Sequence, residues 1–207
     1  MKKVRFLTIV LASLSIGLFG QELALPPELN WWLSEVRRIN VSISVSDFKL
    51  SSTNEFPYLN EQIDTNRLYP VFYRWNFYGD KFAYYDLGTV LKQDPDGRYK
   101  VSRDIDSRLG IINRKNNMLF ADSFGSSKGL NGVAWLRDNA LVAVGIWMRY
   151  VNDDKTMVDL VVREYRMEAD KVIVSEYLYK DAFNAWEISS LHLEWWEHRM
   201  EYFSGRW

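Results

Sequence analysis

The amino-acid sequence predicts a mainly β protein, in which an antiparallel meander forms a barrel or a two-sheet sandwich and carries a short N-terminal helix. Two observations predict this fold class. Short runs of β-branched and aromatic residues alternate with polar turn sequences. The 207 residues also include 9 Trp, 12 Tyr and 11 Phe, residue types that favour strands. A small propeller-like β fold is the alternative, because residues 76–84 and 135–143 share a turn followed by alternating apolar residues.

The N-terminus has the pattern of a signal peptide at residues 1–20. Three basic residues within the first five positions are followed by 14 residues without a charge. That stretch is short for a membrane-spanning helix, which needs about 20 apolar residues. We expect cleavage after Gly20, with an uncleaved N-terminal anchor as the alternative. The mature chain, residues 21–207, is then predicted to be a single β-rich domain, long enough to bury a core.

Residues 26–40 are predicted to form the N-terminal helix. Pro27 suits the first helical position, and apolar residues recur at helical spacing after it. The apolar stripe consists of Leu29, Trp32, Leu33, Val36 and Ile39. Residues 41–45 alternate valine or isoleucine with serine, which predicts a half-buried strand. Residues 51–69 are polar and show little periodicity, so we expect a long loop there.

From residue 70 the pattern predicts a meander of roughly ten antiparallel strands joined by short polar turns. The predicted strands are residues 71–77, 82–87, 90–91, 99–101, 109–112, 118–121, 132–136, 140–150, 156–166 and 171–179. A helical turn at 181–187, followed by a closing strand, is expected to complete the chain.

Two of these strands indicate where the sheet is buried. Residues 141–148 are apolar on both faces, which is typical of a central strand. In residues 156–166 one face is apolar, while the other includes Asp159 and Arg163. We therefore expect that strand to have one face in water.

Charge and cysteine content argue against several classes of function. The sequence has 26 Lys and Arg against 27 Asp and Glu, and the loss of three basic residues with the signal peptide lowers the net charge from −1 to −4. This balance argues against a general nucleic-acid binder, which needs a basic surface. The chain contains no Cys, so disulfides, thiolate metal ligands and a cysteine nucleophile are excluded.

No motif in the sequence predicts a catalytic, metal or cofactor site. His192 and His198 are six residues apart, whereas the helical zinc-protease pattern needs two His four apart. The loop at 123–129 contains Gly, Ser and Lys, but not in the order of a nucleotide-binding loop. Asp94 and Asp96 lie in a turn sequence that lacks the further ligands of a calcium loop. An enzyme is therefore the weakest functional hypothesis.

The surplus of aromatic residues is the sequence feature that points to a function. It predicts an exported cell-envelope protein that binds an apolar or glycan ligand without catalysis. The candidate ligand-binding residues are Trp75, Tyr84, Trp195 and Trp196. The short, lysine-rich signal is typical of bacteria, so we expect a periplasmic, secreted or outer-membrane-associated protein.

Two other functions remain open from the sequence. One is a structural or assembly protein of the envelope that binds other proteins through an exposed aromatic patch. The other is an outer-membrane β-barrel, because the chain ends in an aromatic residue, Trp207, as the last strand of such barrels does. The mature sequence has no apolar run long enough to span a membrane as a helix.

Overall fold

The structure, a computed structural model, describes residues 23–68, 72–86, 90–93, 99–102, 107–125, 127–152 and 155–190. The described residues are mostly β, with 61% in strands, two main antiparallel sheets and one short helix. The predicted mainly β fold class is therefore confirmed. The predicted signal peptide at 1–20 and closing strand lie outside the described residues, as do His192, His198, Trp195 and Trp196.

The described part of the chain contains twelve strands. They are β1 (Lys49–Pro57), β2 (Glu61–Gln62), β3 (Tyr73–Trp75), β4 (Lys81–Asp86), β5 (Val90–Gln93), β6 (Tyr99–Ser102), β7 (Ser107–Asn113), β8 (Asn117–Phe124), β9 (Lys128–Arg137), β10 (Ala140–Asn152), β11 (Lys155–Met167) and β12 (Lys171–Asn184). Sheet 1 has the order β1-β12-β11-β10-β9 and sheet 2 the order β2-β8-β7-β4-β3. β5 and β6 form a separate two-stranded sheet.

The ladder of strands predicted from residue 90 onward is confirmed, and its strands extend past their predicted ends. β12 extends furthest, through Asn184, so the helical turn predicted at 181–187 starts later, as the 3₁₀ turn Ala185–Ser190. Asp181 has a positive φ of 53°, and its N–H donates to Asp159 Oδ1 of β11 at 2.8 Å. The strand therefore continues through a local irregularity instead of ending there.

The strand predicted at residues 41–45 is wrong. This segment forms turns that lead into a 3₁₀ turn at Val45–Asp47, and Val41 is 83% exposed. The Ser44 N–H donates to Asp47 Oδ2 at 2.8 Å, as part of a capping box. These local side-chain bonds satisfy the backbone in place of strand pairing.

The long loop predicted at residues 51–69 is also wrong, because this segment contains β2 and most of β1. β1 is an edge strand of sheet 1 and pairs with β12. Nearly all of its side chains are exposed. A strand without a buried face has no apolar alternation, so its polar sequence resembles that of a loop.

One face of sheet 1 is covered by the N-terminal helix. The helix predicted at 26–40 is confirmed as a 3₁₀ turn, Pro27–Leu29, followed by α1, Asn30–Arg37. Its buried stripe packs on buried aliphatic side chains of β10 and β11. On β9, a Cβ at Gly132 would lie 3.2 Å from both Leu29 Cδ2 and Trp31 Cζ2, so glycine permits the close approach of helix and sheet.

The other face of sheet 1 packs against sheet 2. Their shared core contains Leu109, Ile111 and Phe120 from sheet 2 and Leu141, Tyr165 and Val174 from sheet 1. Two open sheets that enclose one core make a sandwich. The two-sheet alternative of the predicted fold class is therefore the one observed.

Burial along β10 and β11 tests the two strand predictions. β10 is buried at residues 140–145 and lies between β9 and β11, which confirms a central strand. The wet face predicted for β11 is wrong, because β11 is the middle strand of sheet 1 and Asp159 is buried. Its carboxylate lies 3.3 Å from Arg149 Nε. A charge that is paired in this way can be buried on a covered face.

Candidate functional site

Three exposed aromatic side chains project from one end of the sandwich. Trp75 ends β3 and is 48% exposed, while Phe77 and Tyr78 lie in the β3–β4 turn and are 68% and 79% exposed. We call these three residues the aromatic tip. Exposed aromatic side chains that are grouped in this way commonly mark an interaction site.

The turn that carries the aromatic tip is organised by Asn76. This residue is only 4% exposed, and its Oδ1 accepts from the N–H groups of Asp80 at 3.0 Å and Lys81 at 3.2 Å. Gly79 supplies the positive φ of 65° that closes the turn. Its N–H donates to Asn76 O at 3.0 Å. The amide of one residue thus fixes the backbone between the two strands.

Two neighbouring turns hold the tip in place. Asp138, between β9 and β10, accepts from Asn76 Nδ2 at its backbone oxygen, at 3.1 Å, and from the Tyr78 N–H at Oδ1, at 3.0 Å. Arg114, between β7 and β8, donates its N–H to Asp80 O at 2.8 Å. The β3–β4 turn is therefore bonded to both sheets, which restricts its movement.

Stacked rings support the tip from beneath. The Trp75 ring lies 4.8 Å from the Phe82 ring, and Tyr73 lies 4.4 Å from Phe82 and 5.9 Å from Tyr84, between ring centroids. Partial burial in this stack raises the pKa of the Tyr73 phenol. The Trp135 Nε1–H donates to the backbone oxygen of Arg74 at 2.6 Å and ties β3 to β9.

The structure brings two of the four predicted ligand-binding residues into one aromatic cluster. Trp75 is half-exposed at its outer edge, whereas Tyr84 is buried in the sandwich core beneath it. Trp75 thus offers contact surface, and Tyr84 supports it through Tyr73. The ligand-binding role of these residues stays a prediction.

Phe77 and Tyr78 are absent from the sequence-based candidates. The signal that identifies them is the placement of two aromatic residues between Asn76 and Gly79, which are turn-forming residue types. Aromatic side chains inside a turn are not explained by strand burial. The sequence prediction assigned Phe77 to the end of a strand and gave Tyr78 no role.

Charged side chains surround the tip. A hydrogen bond from Lys81 Nζ at 2.7 Å, assisted by one from Asn76, lowers the pKa of the Asp80 carboxyl. Arg114 and Lys115 are exposed on the adjacent turn. Within the part of the chain that the structure describes, neither of these two cations has a salt-bridge partner.

A second polar cluster joins the two sheets. Arg163 of β11 donates through Nε and Nη2 to Glu176 Oε2, at 2.9 and 2.7 Å, and through Nη1 to Asp122 Oδ2, at 2.6 Å. The Tyr165 hydroxyl donates to the same Asp122 oxygen at 2.9 Å. Both carboxylates are thus engaged by one guanidinium, which suits a structural link more than proton transfer.

Ionisation in this cluster follows from burial and charge. Burial alone would lower the pKa of Arg163, but its electrostatic interactions with Tyr165, Asp122 and Glu176 raise it overall. Burial raises the pKa of the Tyr165 phenol well above its usual value, and Asp122 raises it further. At neutral pH the cluster therefore holds a cationic guanidinium and a neutral phenol.

A cavity where the N-terminal helix meets both sheets is too small for a ligand. Its volume is about 20 Å³, and its lining includes Glu28, Trp31, Tyr85 and Gly132. That volume accommodates about one water molecule. Among the described residues, no group of three or more His, Asp or Glu is placed to hold a metal ion.

Comparison with known proteins finds no significant match to a family model, to a curated protein or to a solved structure. No helix in the described ranges is both long and apolar enough to cross a membrane.

Proposed function

We propose that the protein is an exported component of a bacterial cell envelope that binds an apolar or glycan ligand through the aromatic tip, without catalysis. The observation that carries this proposal is the exposure of Trp75, Phe77 and Tyr78 on a turn that is bonded to two other turns. Aromatic side chains on a fixed backbone are typical of recognition surfaces.

The energetics favour binding at such a surface. Complete burial of one aromatic side chain contributes roughly 1.5–3 kcal/mol, while ordering one side chain costs about 0.5–1.5 kcal/mol. Asn76 and Asp138 have already fixed the backbone of the turn. Burial of an exposed ring therefore offsets the cost of ordering its own side chain, and the fixed backbone adds little further ordering cost.

The polar groups at the tip favour binding over catalysis. The side chain of Asn76 and the carboxylates of Asp80 and Asp138 all take part in hydrogen bonds that shape the turn. A general base needs a lone pair that faces the substrate. These groups instead support the aromatic rings.

The test is co-sedimentation of the mature protein with isolated peptidoglycan sacculi, as a glycan probe, and with lipid vesicles, as an apolar probe. We expect binding to at least one probe, and at least a tenfold loss of affinity in the double variant Phe77→Ser/Tyr78→Ser, since both rings are removed. The matched control is Tyr150→Ser, which removes an equally exposed ring, 82% exposed, near the end of β10.

Three results distinguish the possible outcomes. Binding that survives the double variant would exclude the aromatic tip as the binding surface. Loss of binding in Tyr150→Ser alone would move the surface to the other end of β10. No binding of the wild type to either probe would refute the proposal.

A structural or assembly role is a second candidate, favoured by apolar side chains at the far end of β10. Met148, Tyr150 and Val151 are exposed there, while the opposite end of β10 begins beside Asp138 at the tip. At about 3.3 Å per residue, the stretch from Ala140 to Tyr150 spans roughly 33 Å. Two apolar ends would allow the molecule to contact two partners, and chemical cross-linking of envelope proteins to residue 150 tests this.

A further inference from the structure

We propose that the ligand of the aromatic tip is the surface of an anionic lipid bilayer, into whose interface Phe77 and Tyr78 insert. This inference rests on the proposed function, because it takes the aromatic tip as the binding surface. It names a ligand class and adds two cations, Arg114 and Lys115, as part of the site.

The shape of the tip favours an extended partner over a small one. Sites for small ligands are concave and enclose most of the ligand. Phe77 and Tyr78 are consecutive residues of a turn and are both more than two-thirds exposed, so they form a convex projection. A convex projection buries its rings only in a surface that yields around it, as the headgroup region of a bilayer does.

The three residue types match the layers of a bilayer interface. Tyr and Trp combine an apolar ring with a polar group and are enriched at the level of the lipid headgroups. Phe has no polar group and gains most when it reaches the acyl boundary. Trp75 lies at the base of the projection, where it is half-exposed and held against Phe82. The tip would thus insert Phe77 and Tyr78 first, with Trp75 at the headgroups.

The charges around the tip favour an anionic surface. Arg114 and Lys115 are exposed on the turn whose backbone is bonded to the tip through Asp80. Arg114 Nη2 reaches to 4.0 Å from the position that a Cβ of Gly79 would take. Asp80 forms an ion pair with Lys81, and Asp138 accepts a hydrogen bond from the Tyr78 N–H. Among the described residues Arg114 and Lys115 have no salt-bridge partner, so both cations can interact with an anionic surface.

Because the whole chain carries a small net negative charge, its attraction to an anionic membrane depends on the local cations at the tip. With a net charge of −1 over the full sequence, the protein has no general attraction to an anionic membrane. Each basic residue close to an anionic lipid surface strengthens binding by about fivefold. Two such residues at the tip would orient the molecule with its aromatic end toward the lipid.

The experiment is co-sedimentation of the mature protein with vesicles of phosphatidylcholine alone and of phosphatidylcholine mixed with phosphatidylglycerol. We expect tighter binding to the mixed vesicles, with the difference reduced at high salt because surface charge is screened. Phe77→Ser/Tyr78→Ser should weaken binding to both vesicle types by at least tenfold. Arg114→Gln/Lys115→Gln should remove most of the preference for anionic vesicles, roughly 25-fold, and leave binding to neutral vesicles unchanged.

Controls separate binding from folding. All substituted residues are exposed, so each variant should keep the thermal unfolding midpoint of the wild type. The control Val41→Ser, at an apolar residue that is 83% exposed and belongs to neither apolar end, should bind as the wild type does. Vesicle binding that is unaffected by Phe77→Ser/Tyr78→Ser would overturn the inference. Equal affinity of the wild type for neutral and anionic vesicles would overturn its electrostatic part.

The same assay distinguishes this inference from the proposed function. If the protein binds peptidoglycan sacculi through Phe77 and Tyr78 but binds neither vesicle type, the membrane inference is wrong and the proposed function stands. If the protein binds neither sacculi nor vesicles, both are wrong.

Discussion

Asn76 is the residue on which the geometry of the aromatic tip depends. Its buried amide bonds to the backbone of Asp80, Lys81 and Asp138. Asn76→Ala would leave these backbone groups without partners in a partly buried turn, so we expect the free energy of unfolding to fall by about 2 kcal/mol. Urea denaturation measures the change. The control is Asn139→Ala, at an exposed position of a neighbouring turn, which should change the free energy of unfolding by less than about 0.5 kcal/mol. Equal losses of stability in the two variants would contradict the role of Asn76.

At the level of single residues the sequence singles out the aromatic residue type but does not show which aromatic side chains reach the surface. Trp75 was a candidate because it lies among alternating aromatic residues, and it is half-exposed. Tyr84 has the same local pattern but lies in the shared core of the two sheets. Whether an aromatic ring faces the second sheet or the solvent depends on strand order. Strand order is set by long-range pairing that local periodicity does not contain.

Arg163 links three elements, β8, β11 and β12, through Asp122 and Glu176. Arg163→Met would leave two carboxylates uncompensated in a mostly buried place, and we expect a loss of about 3 kcal/mol in the free energy of unfolding. Adding Asp122→Asn and Glu176→Gln removes those charges and should recover part of the loss. Urea denaturation of the single and triple variants measures both effects.

The exposed ion pair between Lys171 Nζ and Glu55 Oε2, at 2.7 Å, is the matched control for this cluster. It also joins two strands, β12 and β1, but it lies in water. We expect Lys171→Met to leave stability unchanged within the precision of the measurement.

A triple variant, Arg163→Met with Asp122→Asn and Glu176→Gln, that is no more stable than Arg163→Met alone would show that the Arg163 cluster acts through packing and not through charge.

Elements with a buried face were predictable, and elements without one were not. The strands from β7 to β12 have apolar patterns broken by polar turns, and the structure contains all of them. β1 is polar because it is an exposed edge, so its sequence indicated a loop. The charges on β11 indicated a wet face, yet Asp159 pairs with Arg149 of the adjacent strand, and Arg163 pairs with Glu176 of the adjacent strand and with Asp122 of the other sheet. Pairing of buried charges is a tertiary property.

The layer arrangement explains which features of the whole molecule the sequence could predict. The doubly apolar pattern at 141–148 predicted a covered strand, and sheet 1 is covered by α1 on one side and by sheet 2 on the other. The choice between one closed sheet and two open sheets depends on which strands are neighbours. In particular, β4 pairs with β7 although the β5–β6 hairpin lies between them in sequence. Local patterns do not specify that pairing.

The double coverage of sheet 1 predicts an unequal distribution of stability across the molecule. β12 pairs with β11 on one side and with β1 on the other, so both neighbours have the same bonding partner. β11 is buried over most of its length, whereas β1 is almost entirely exposed. Amide protons exchange by local opening where few apolar contacts must break. We therefore expect hydrogen-exchange mass spectrometry to show β1 amides exchanging at least a hundredfold faster than those of β11. Equal protection of the two strands would mean that sheet 1 opens as one unit, and that burial on both faces does not set its local stability.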